Sequence, residues 1–184
     1  QTQSWTNPMY PQWQGDDITA NPGSNKQACA ALDAFASDGA NKGVTDAWNQ
    51  HYSVIKAANL ITESASKAPV AQDKIDVALG NAHFWRAYAY YYLVRVFGPV
   101  PLITGTDVSQ LEVAPSSVEK VYELIVSDLK AAVNELPTKY EKEPSRLFGV
   151  DIWTTKQAAQ ATLSAVYMSM AVSYTHLRAH ETVL

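Results

Sequence analysis

The 184-residue chain has little cysteine and little charge, and both scarcities exclude classes of protein. Cys29 is its single cysteine, so no internal disulfide framework is possible, and with no apolar leader before it we do not expect a lipid-attachment cysteine. Charged residues make up 17% of the chain and the net charge is −4, which provides no basic surface for nucleic acid. Arg86 and Arg95 interrupt the most apolar segment before it reaches membrane-spanning length.

Hydrophobic residues, in contrast, are abundant. They make up 47% of the chain, which argues against disorder and is enough for a sizeable core in one domain or part of one. Alternating apolar patterns are too short to predict strands outside 100–103. The composition therefore favours a helical protein.

The most informative segment is 80–104, which reads GNAHFWRAYAYYYLVRVFGPVPLIT. Its first part is apolar and aromatic on every side, which predicts a helix over 70–97 that is covered all round. Gly98 is able to close this helix in a left-handed conformation, and Pro99 and Pro101 prevent its continuation. We therefore predict that 70–97 is the most buried helix and that an extended connector follows it.

This segment resembles the SusD/RagB family of outer-membrane glycan-binding lipoproteins. The family pattern runs Gly-Glu-Ala-Arg-Phe-Leu-Arg-Ala, continues through an aromatic helix and ends in Leu-Val-Arg-x-Phe-Gly-x-Val-Pro-Leu. Asn81 stands where the family usually has Glu, so a Glu–Arg pair is not offered at this point. The matching residues are Gly80, Ala82, Phe84, Arg86, Ala87, Tyr88, Leu93, Val94, Arg95, Phe97, Gly98, Val100, Pro101 and Leu102.

Three further segments extend the resemblance to about residues 13–171. The first is similar to the family's Trp-x3-Tyr-x2-Ile-x2-Ala-Asn helix and contains Trp48, Tyr52, Ile55, Ala58 and Asn59. The second, 115–132, includes an Ile-x2-Asp-Leu core. The third, 155–167, is similar to a Thr-Lys-Gly-Ala-Ala segment, with Gln157 in place of Gly and Trp153 where Arg is usual.

The resemblance implies an all-α, SusD-like fold of tetratricopeptide-like helical hairpins (an α/α superhelix) with long connecting loops. Residues 1–171 would then be an N-proximal part of a SusD-like domain, truncated at both ends. The implied function is non-catalytic capture of oligosaccharides by a lipid-anchored, outward-facing outer-membrane protein, which delivers them to a SusC-like TonB-dependent transporter. The alternative is a tetratricopeptide-like module that binds a protein or peptide.

The helix boundaries follow from caps and breakers. We predict helices over about 24–36, 45–66, 70–97, 117–136 and 154–171. The first begins at Ser24 or Asn25, and Ser116 or Ser117 caps the fourth, which Pro137 ends. The predicted apolar faces contain Ala28, Ala31, Leu32 and Phe35 in the first helix; Trp48, Tyr52, Ile55 and Leu60 in the second; and Val118, Val121, Tyr122, Ile125, Leu129, Ala132 and Leu136 in the fourth.

Residues 172–184 differ in character from the Ala/Met-rich segment before them. Their sequence reads like an in-frame translation of a sequencing-library adapter, so we interpret them as a non-native tail. His176 and His180 are four residues apart, a spacing that binds zinc on helices, but read-through is the favoured interpretation.

No arrangement of residues predicts an enzyme, a metal site or a cofactor. Asp16 and Asp17 are adjacent and diverge in an extended loop, whereas glycoside hydrolysis needs two carboxylates that flank one bond. Glu141 and Glu143 lie in a loop with lysines, which is typical of a solvated turn. His51 and His83 are lone helical histidines, which are more often packed than ligating.

Residues 1 to about 23 are rich in Pro, Asn, Gln, Asp and Trp and are predicted to form an N-terminal loop. Sugar binding needs exposed aromatic rings and planar polar side chains, and this loop offers both outside a helix. An alternative is that Tyr10 and Trp13 only pack this loop onto the helices. Trp48, Trp85 and Tyr88 to Tyr92 lie at core spacing and are predicted to be buried. The predicted glycan-binding residues are Tyr10, Trp13, Gln14, Asp16 and Asp17.

Overall fold

The computed structural model describes residues 27–107, 113–140 and 154–181, and within these ranges it describes side chains from Ala30 to Val172. The chain divides into two compact units, 1–54 and 55–184. The helices are α1 (Gln27–Asp33), α2 (Lys42–Ser64), α3 (Gln72–Phe97), α4 (Val118–Glu135) and α5 (Lys156–Glu181), with a 3₁₀ turn at Ala65–Lys67 after α2. The helical architecture is confirmed over this part of the chain.

Two very short strands lie in the connector between α3 and α4. Strand β1 (Val100–Pro101) pairs antiparallel with β2 (Pro115–Ser116), and Val100 lies opposite Ser116. The sequence predicts only an extended connector here. Because the pairing closes the connector on itself, α4 begins close to where α3 ends.

The ends of α3 and α4 follow the predicted breakers and caps. Gly98 has a φ of +72°, a backbone conformation that other residues rarely adopt, and its N–H donates to the Val94 carbonyl at 3.1 Å. The Ser117 hydroxyl accepts from the Lys120 N–H at 3.4 Å and caps α4. Leu136 is the C-cap residue of α4, and Pro137 follows it directly.

In the first unit, α1 ends at Asp33, before the predicted end near Ala36, and Phe35 is not on its buried face. The predicted start at Ser24 or Asn25 lies outside the described residues. Leu32 is fully buried, but Phe35 is 72% exposed and has a φ of +53°. The Phe35 N–H donates to the Leu32 carbonyl and the Ala36 N–H to the Ala31 carbonyl, which is the Schellman pattern of helix termination. Phe35 therefore occupies the position usually held by glycine, and the helix ends before the ring can join the apolar stripe.

Helix α2 begins three residues earlier than predicted because Asn41 caps it. The Asn41 side-chain oxygen accepts from the Gly43 N–H at 2.8 Å. Within the first unit, the Trp48 and Tyr52 rings lie 5.0 Å apart. The His51 Nδ1–H donates to the Ala47 carbonyl at 2.6 Å, and burial lowers the pKa of His51 despite this bond.

The face that α2 buries in the second unit differs from the predicted face. Ile55, Ala58 and Asn59 are buried, whereas Leu60 is 59% exposed. Because Leu60 lies one and two residues after two of these buried positions, it points away from their stripe. The prediction that Leu60 joins the apolar face is wrong.

Helices α3 and α4 pack antiparallel and form the core of the second unit. Residues that come later in α3 contact residues that come earlier in α4. The contacts are His83 with Glu135, Arg86 with Asp128, and Tyr91 with Tyr122. The predicted apolar face of α4 is confirmed, since all its members are buried except the half-buried Val118. The buried members are Val121, Tyr122, Ile125, Leu129, Ala132 and Leu136.

Gly80 permits this close approach at the end of α4. A Cβ at this position would lie 2.8 Å from Leu136 Cγ, so any larger side chain would force the two helices or that leucine to move. Helix α5 then returns along α4, with the Lys156 N–H donating to the Pro137 carbonyl at 2.9 Å. Tyr91 on α3 reaches α5, where its hydroxyl lies 2.6 Å from Ser169 Oγ.

The aromatic helix α3 is not covered all round. Phe84, Tyr90 and Tyr91 are buried, but Trp85 is 45% exposed and Tyr88 is 46% exposed. The prediction that both are core residues is therefore wrong for this chain. The sequence pattern shows that all sides of α3 are apolar, but α4, α5 and the connector cover only some of them.

Helix α5 continues to Glu181, ten residues beyond the predicted end at Ala171. Residues 172–181 contain neither proline nor glycine, so nothing in their sequence breaks a helix. The side chains of His176 and His180 lie outside the described residues. Where side chains are described, no group of three or more His, Cys, Asp or Glu residues is arranged to hold a metal ion.

No described helix is both long enough and apolar enough to cross a membrane.

Candidate functional site

A buried arginine, Arg86, lies at the centre of the second unit and is 7% exposed. Its Nε donates to Asp128 Oδ2 and its Nη2 donates to Asp128 Oδ1, both at 2.7 Å. This two-point contact between α3 and α4 is the geometry in which an arginine–carboxylate pair is strongest. Burial alone would lower the pKa of Arg86, but the hydrogen bonds and negative charge of Asp128 outweigh it and the pKa is raised.

Asn59 on α2 extends this pair to the connector. Its Oδ1 accepts from Arg86 Nη1 at 2.8 Å, while its Nδ2 donates to the carbonyls of Ile103 at 2.8 Å and Gly105 at 3.1 Å. The fully buried amide thus satisfies both a side chain and an irregular stretch of backbone. These bonds fix which way the amide is oriented, because its oxygen faces a donor and its nitrogen faces acceptors.

Tyr90 holds the same stretch from α3. Its hydroxyl accepts from the Ile103 N–H at 2.7 Å and lies 3.2 Å from the Ile103 carbonyl, to which it donates. Burial raises the pKa of Tyr90 to about 12, with the Ile103 hydrogen bond acting in the opposite direction. The phenol therefore stays neutral, and able to donate, across the physiological pH range.

Glu63 makes the outermost contact to the connector. Its carboxylate accepts from the Thr106 N–H at 2.8 Å and also from the Thr106 hydroxyl. The hydroxyl, followed by the N–H, lowers the pKa of Glu63. Glu63 lies one helical turn beyond Asn59, so both side chains are on the same face of α2. Together they bind the connector at Ile103, Gly105 and Thr106.

These contacts form what we call the connector clamp: Asn59, Glu63, Arg86, Tyr90 and Asp128. Its four inner members bond to one another or to backbone, so its chemistry is that of holding a loop and not of binding a ligand. It positions residues 103–106 against α2 and α3. A buried ion pair does not guarantee extra stability, but removing either partner would leave an uncompensated charge.

The sequence did not predict the clamp, although the signal was present. Asn81 removes a Glu–Arg pair that the family motif would offer, and the sequence predicted no partner for Arg86. The actual partners, Asn59 and Asp128, come from two other segments that resemble the SusD/RagB family. Residues that define separate motifs along the chain are therefore brought together in one network.

A second notable feature is the exposed aromatic face of α3. The rings of Trp85 and Tyr88 lie 5.8 Å apart and nearly perpendicular, and Tyr88 stacks on Phe84 at 6.1 Å. Two residues before Trp85, the His83 Nδ1 lies 2.7 Å from Glu135 Oε2. His83 is thus a packed, paired residue, as predicted.

A cleft of about 480 Å³ opens near the other end of α3. It lies where the C-terminal turn of α3 meets the first turns of α4 and the middle of α5. It is lined by Val94, Arg95, Val118, Tyr122, Met168, Ser169 and Val172.

The predicted glycan-binding residues Tyr10, Trp13, Gln14, Asp16 and Asp17 lie outside the described residues. Glu141 and Glu143 lie outside them as well. The loop prediction therefore remains a prediction.

Comparison with known proteins places this helical arrangement in a family. Residues 2–168 match the SusD-like family described as starch-binding and associating with the outer membrane. The chain belongs to the SusD-like family. The SusD/RagB resemblance inferred from the motifs is thereby confirmed, and with it the all-α, SusD-like fold.

Individual SusD-like proteins support the assignment. SusD-like protein P2 of Formosa agariphila is 33% identical over 135 residues, covering 71% of this chain and 25% of the relative. A crystal structure with a xylogluco-oligosaccharide aligns with a TM-score of 0.69 at 24% identity, over 88% of this chain and 30% of that one. A laminarin-binding SusD-like protein aligns with a TM-score of 0.69 at 24% identity, over 79% and 30%. The chain spans about a quarter of the length of SusD-like protein P2.

Proposed function

We propose that this SusD-like chain acts in the capture of oligosaccharides at the outer membrane, without cleaving them. The observation that carries the proposal is the family match over residues 2–168, together with saccharide binding by two proteins of the same fold. We further propose that the protein faces outward on a lipid anchor and delivers its ligand to a SusC-like TonB-dependent transporter.

The carboxylates around the clamp favour binding over catalysis. Hydrolysis of a glycosidic bond requires one carboxyl group that gives up a proton and a second that is free to attack or to activate water. Asp128 is bonded twice to Arg86, and Glu135 is paired with His83. Neither is positioned to play either part.

The N-terminal loop supplies the saccharide contacts in this proposal. Tyr10 and Trp13 would stack on sugar rings, and Gln14, Asp16 and Asp17 would bond to sugar hydroxyls. An aromatic ring is a rigid platform, so it contributes contact area with little loss of conformational entropy.

The test is calorimetric titration of the 184-residue chain against a panel of oligosaccharides. Trp13→Ala should weaken the affinity for a bound glycan about tenfold, equivalent to about 1 to 2 kcal/mol, while the helical circular dichroism stays unchanged. Trp85→Ala is the matched control, because it removes an indole that is 45% exposed on a helix instead of one in the loop. We expect this control to keep the parent affinity.

Two results would count against the proposal. Equal affinity of Trp13→Ala and the parent would remove Trp13 from the site. Release of reducing sugar by the purified protein would show that it is an enzyme.

A further inference from the structure

The cleft is lined by an arginine, Arg95, that forms part of the SusD-like motif. Its guanidinium carbon lies 4.9 Å from the centre of the Tyr91 ring, a cation–π contact that holds the side chain against α3. Among the residues that the structure describes, Arg95 forms no ion pair and no hydrogen bond. Arg95 therefore differs from Arg86, whose guanidinium bonds to Asp128 and Asn59 inside the clamp.

Hydroxyl groups lie beside this cation. The Ser169 hydroxyl bonds to the hydroxyl of Tyr91 and to the Ala165 carbonyl, and Tyr122 also lines the cleft. Burial and the neighbouring Tyr91 raise the pKa of Tyr122, while the positive charge of Arg95 acts against the rise. Arg95 is thus close enough to Tyr122 to act on it electrostatically. Of the described residues that line the cleft, Arg95 alone is charged.

The cleft volume of about 480 Å³ suits a small ligand. Ligand sites in proteins occupy about 300 to 1,000 Å³ and combine apolar walls with a few polar groups. Here Val94, Val118 and Met168 supply apolar walls. Val172 also lines the cleft but belongs to the tail interpreted as non-native, so the inference rests on the other six residues.

We propose that this cleft binds a saccharide that carries a carboxylate, such as a uronic acid unit, through Arg95. A guanidinium with no ion pair or hydrogen bond to any described residue matches a carboxylate in charge and in its two-point geometry. The hydroxyls of Ser169 and Tyr122 match those of a sugar ring. The inference rests on the proposed function, because it takes the ligand to be a carbohydrate. It specifies the ligand class at a site separate from the N-terminal loop.

The test compares trigalacturonate with its fully methyl-esterified form, which keeps the rings but removes the charge. We expect the 184-residue chain to bind the acid at least about tenfold more tightly than the ester, and this preference to weaken as sodium chloride is raised from about 50 to 500 mM. Arg95→Gln should abolish the preference, and Arg95→Lys should retain only part of it because lysine lacks the fork.

Lys74→Gln is the matched control, because it makes the same change in net charge on the same helix. Its side chain is exposed and lies 21 residues before Arg95, about 30 Å away at 1.5 Å per residue. This variant should keep the preference. A general loss of charge attraction would affect both glutamine variants equally and would overturn the assignment to Arg95.

The remaining outcomes separate this inference from the proposed function. Binding of neutral oligosaccharides with no preference for the acid would overturn the uronate site and leave oligosaccharide capture standing. Equal competition by a triglutamate peptide would overturn the saccharide assignment, because it would make the ligand a protein carboxylate. Failure to bind any saccharide, acidic or neutral, would overturn both proposals.

Discussion

The two sides of α3 carry similar aromatic residues but contribute to the molecule in different ways. On the buried side, Tyr90 is fully enclosed and its hydroxyl holds the connector backbone, next to the Arg86–Asp128 pair. On the other side, Trp85 and Tyr88 contact each other and Phe84 while almost half of each side chain is exposed. Aromatic content alone therefore does not identify a core face; contact with the neighbouring helices does.

The largest expected contrast is between adjacent residues on the two sides. Phe84→Ala should lower the free energy of unfolding by about 3 to 5 kcal/mol, as expected for a buried aromatic, and Tyr91→Ala should do the same. Trp85→Ala should cost less, about 1 kcal/mol, because almost half of its side chain is exposed. Denaturant titration measures all three, and a loss under about 1 kcal/mol for Phe84→Ala would show that this side is not a core.

Breaking the buried ion pair should have the next largest effect. Arg86→Met leaves the Asp128 carboxylate buried without a cation and should cost about 3 to 4 kcal/mol. Adding Asp128→Leu to this variant should restore much of the loss, because no uncompensated charge then remains. If the double variant is as unstable as the sum of the two single variants, the two residues act independently and the clamp is wrongly described.

The raised pKa of Tyr90 predicts a loss of folding stability at alkaline pH. Its folded pKa, about 12, lies above the ordinary value of 10.0, so its contribution is complete below pH 10 and is lost as the pH rises from 10 towards 12. The expected loss is about 2 to 3 kcal/mol. Unfolding free energies of the parent and Tyr90→Phe, measured from pH 8 to 12, should converge over this range, and parallel curves would contradict the shift.

The smallest expected effect is local and involves Glu63. Its pKa is lowered by Thr106, so the contact is complete above the ordinary carboxyl pKa and is lost as the pH falls through the lowered value. Hydrogen exchange of the Thr106 amide should report this loss, after correction for the intrinsic exchange rate at each pH. Glu63→Gln should remove the pH dependence without shifting the denaturation midpoint, and a pH profile that persists in this variant would assign the effect to another group.

The sequence predicted helices well where breakers and caps are local. Gly98, Ser117 and Pro137 act within one turn of their own positions, so the end of α3 and both ends of α4 were predictable. Phe35 was not, because a Schellman ending normally uses glycine at that position and the sequence gives no such sign. The exposure of Trp85 and Tyr88 depends on which elements reach α3, and helical periodicity carries no such information.

The clamp was beyond prediction for a related reason. Asn59, Arg86 and Asp128 are 27 and 42 residues apart, and no spacing rule links them. The resemblance pointed to the three segments but not to their contacts. Of the candidate site, the sequence therefore identified the right motifs and missed the interactions between them.

We also propose that residues 172–184 are not part of the natural protein, even though α5 continues through Glu181. A helical continuation does not argue for a native tail, because adapter-derived sequence without proline or glycine can extend an existing helix. Resequencing the locus with a different library chemistry should reveal another coding sequence after Ala171. Recovery of His176 and His180 in independent reads would contradict this proposal.

The buried side of α3 holds the connector, whereas its exposed aromatic side does not. Hydrogen exchange of the Ile103 amide is the decisive measurement, because that N–H donates to the Tyr90 hydroxyl. We predict that Tyr90→Phe lowers the protection of this amide about tenfold or more, the equivalent of one lost hydrogen bond, and that Trp85→Ala leaves it unchanged. Equal protection of Ile103 in the parent and in Tyr90→Phe would contradict the claim.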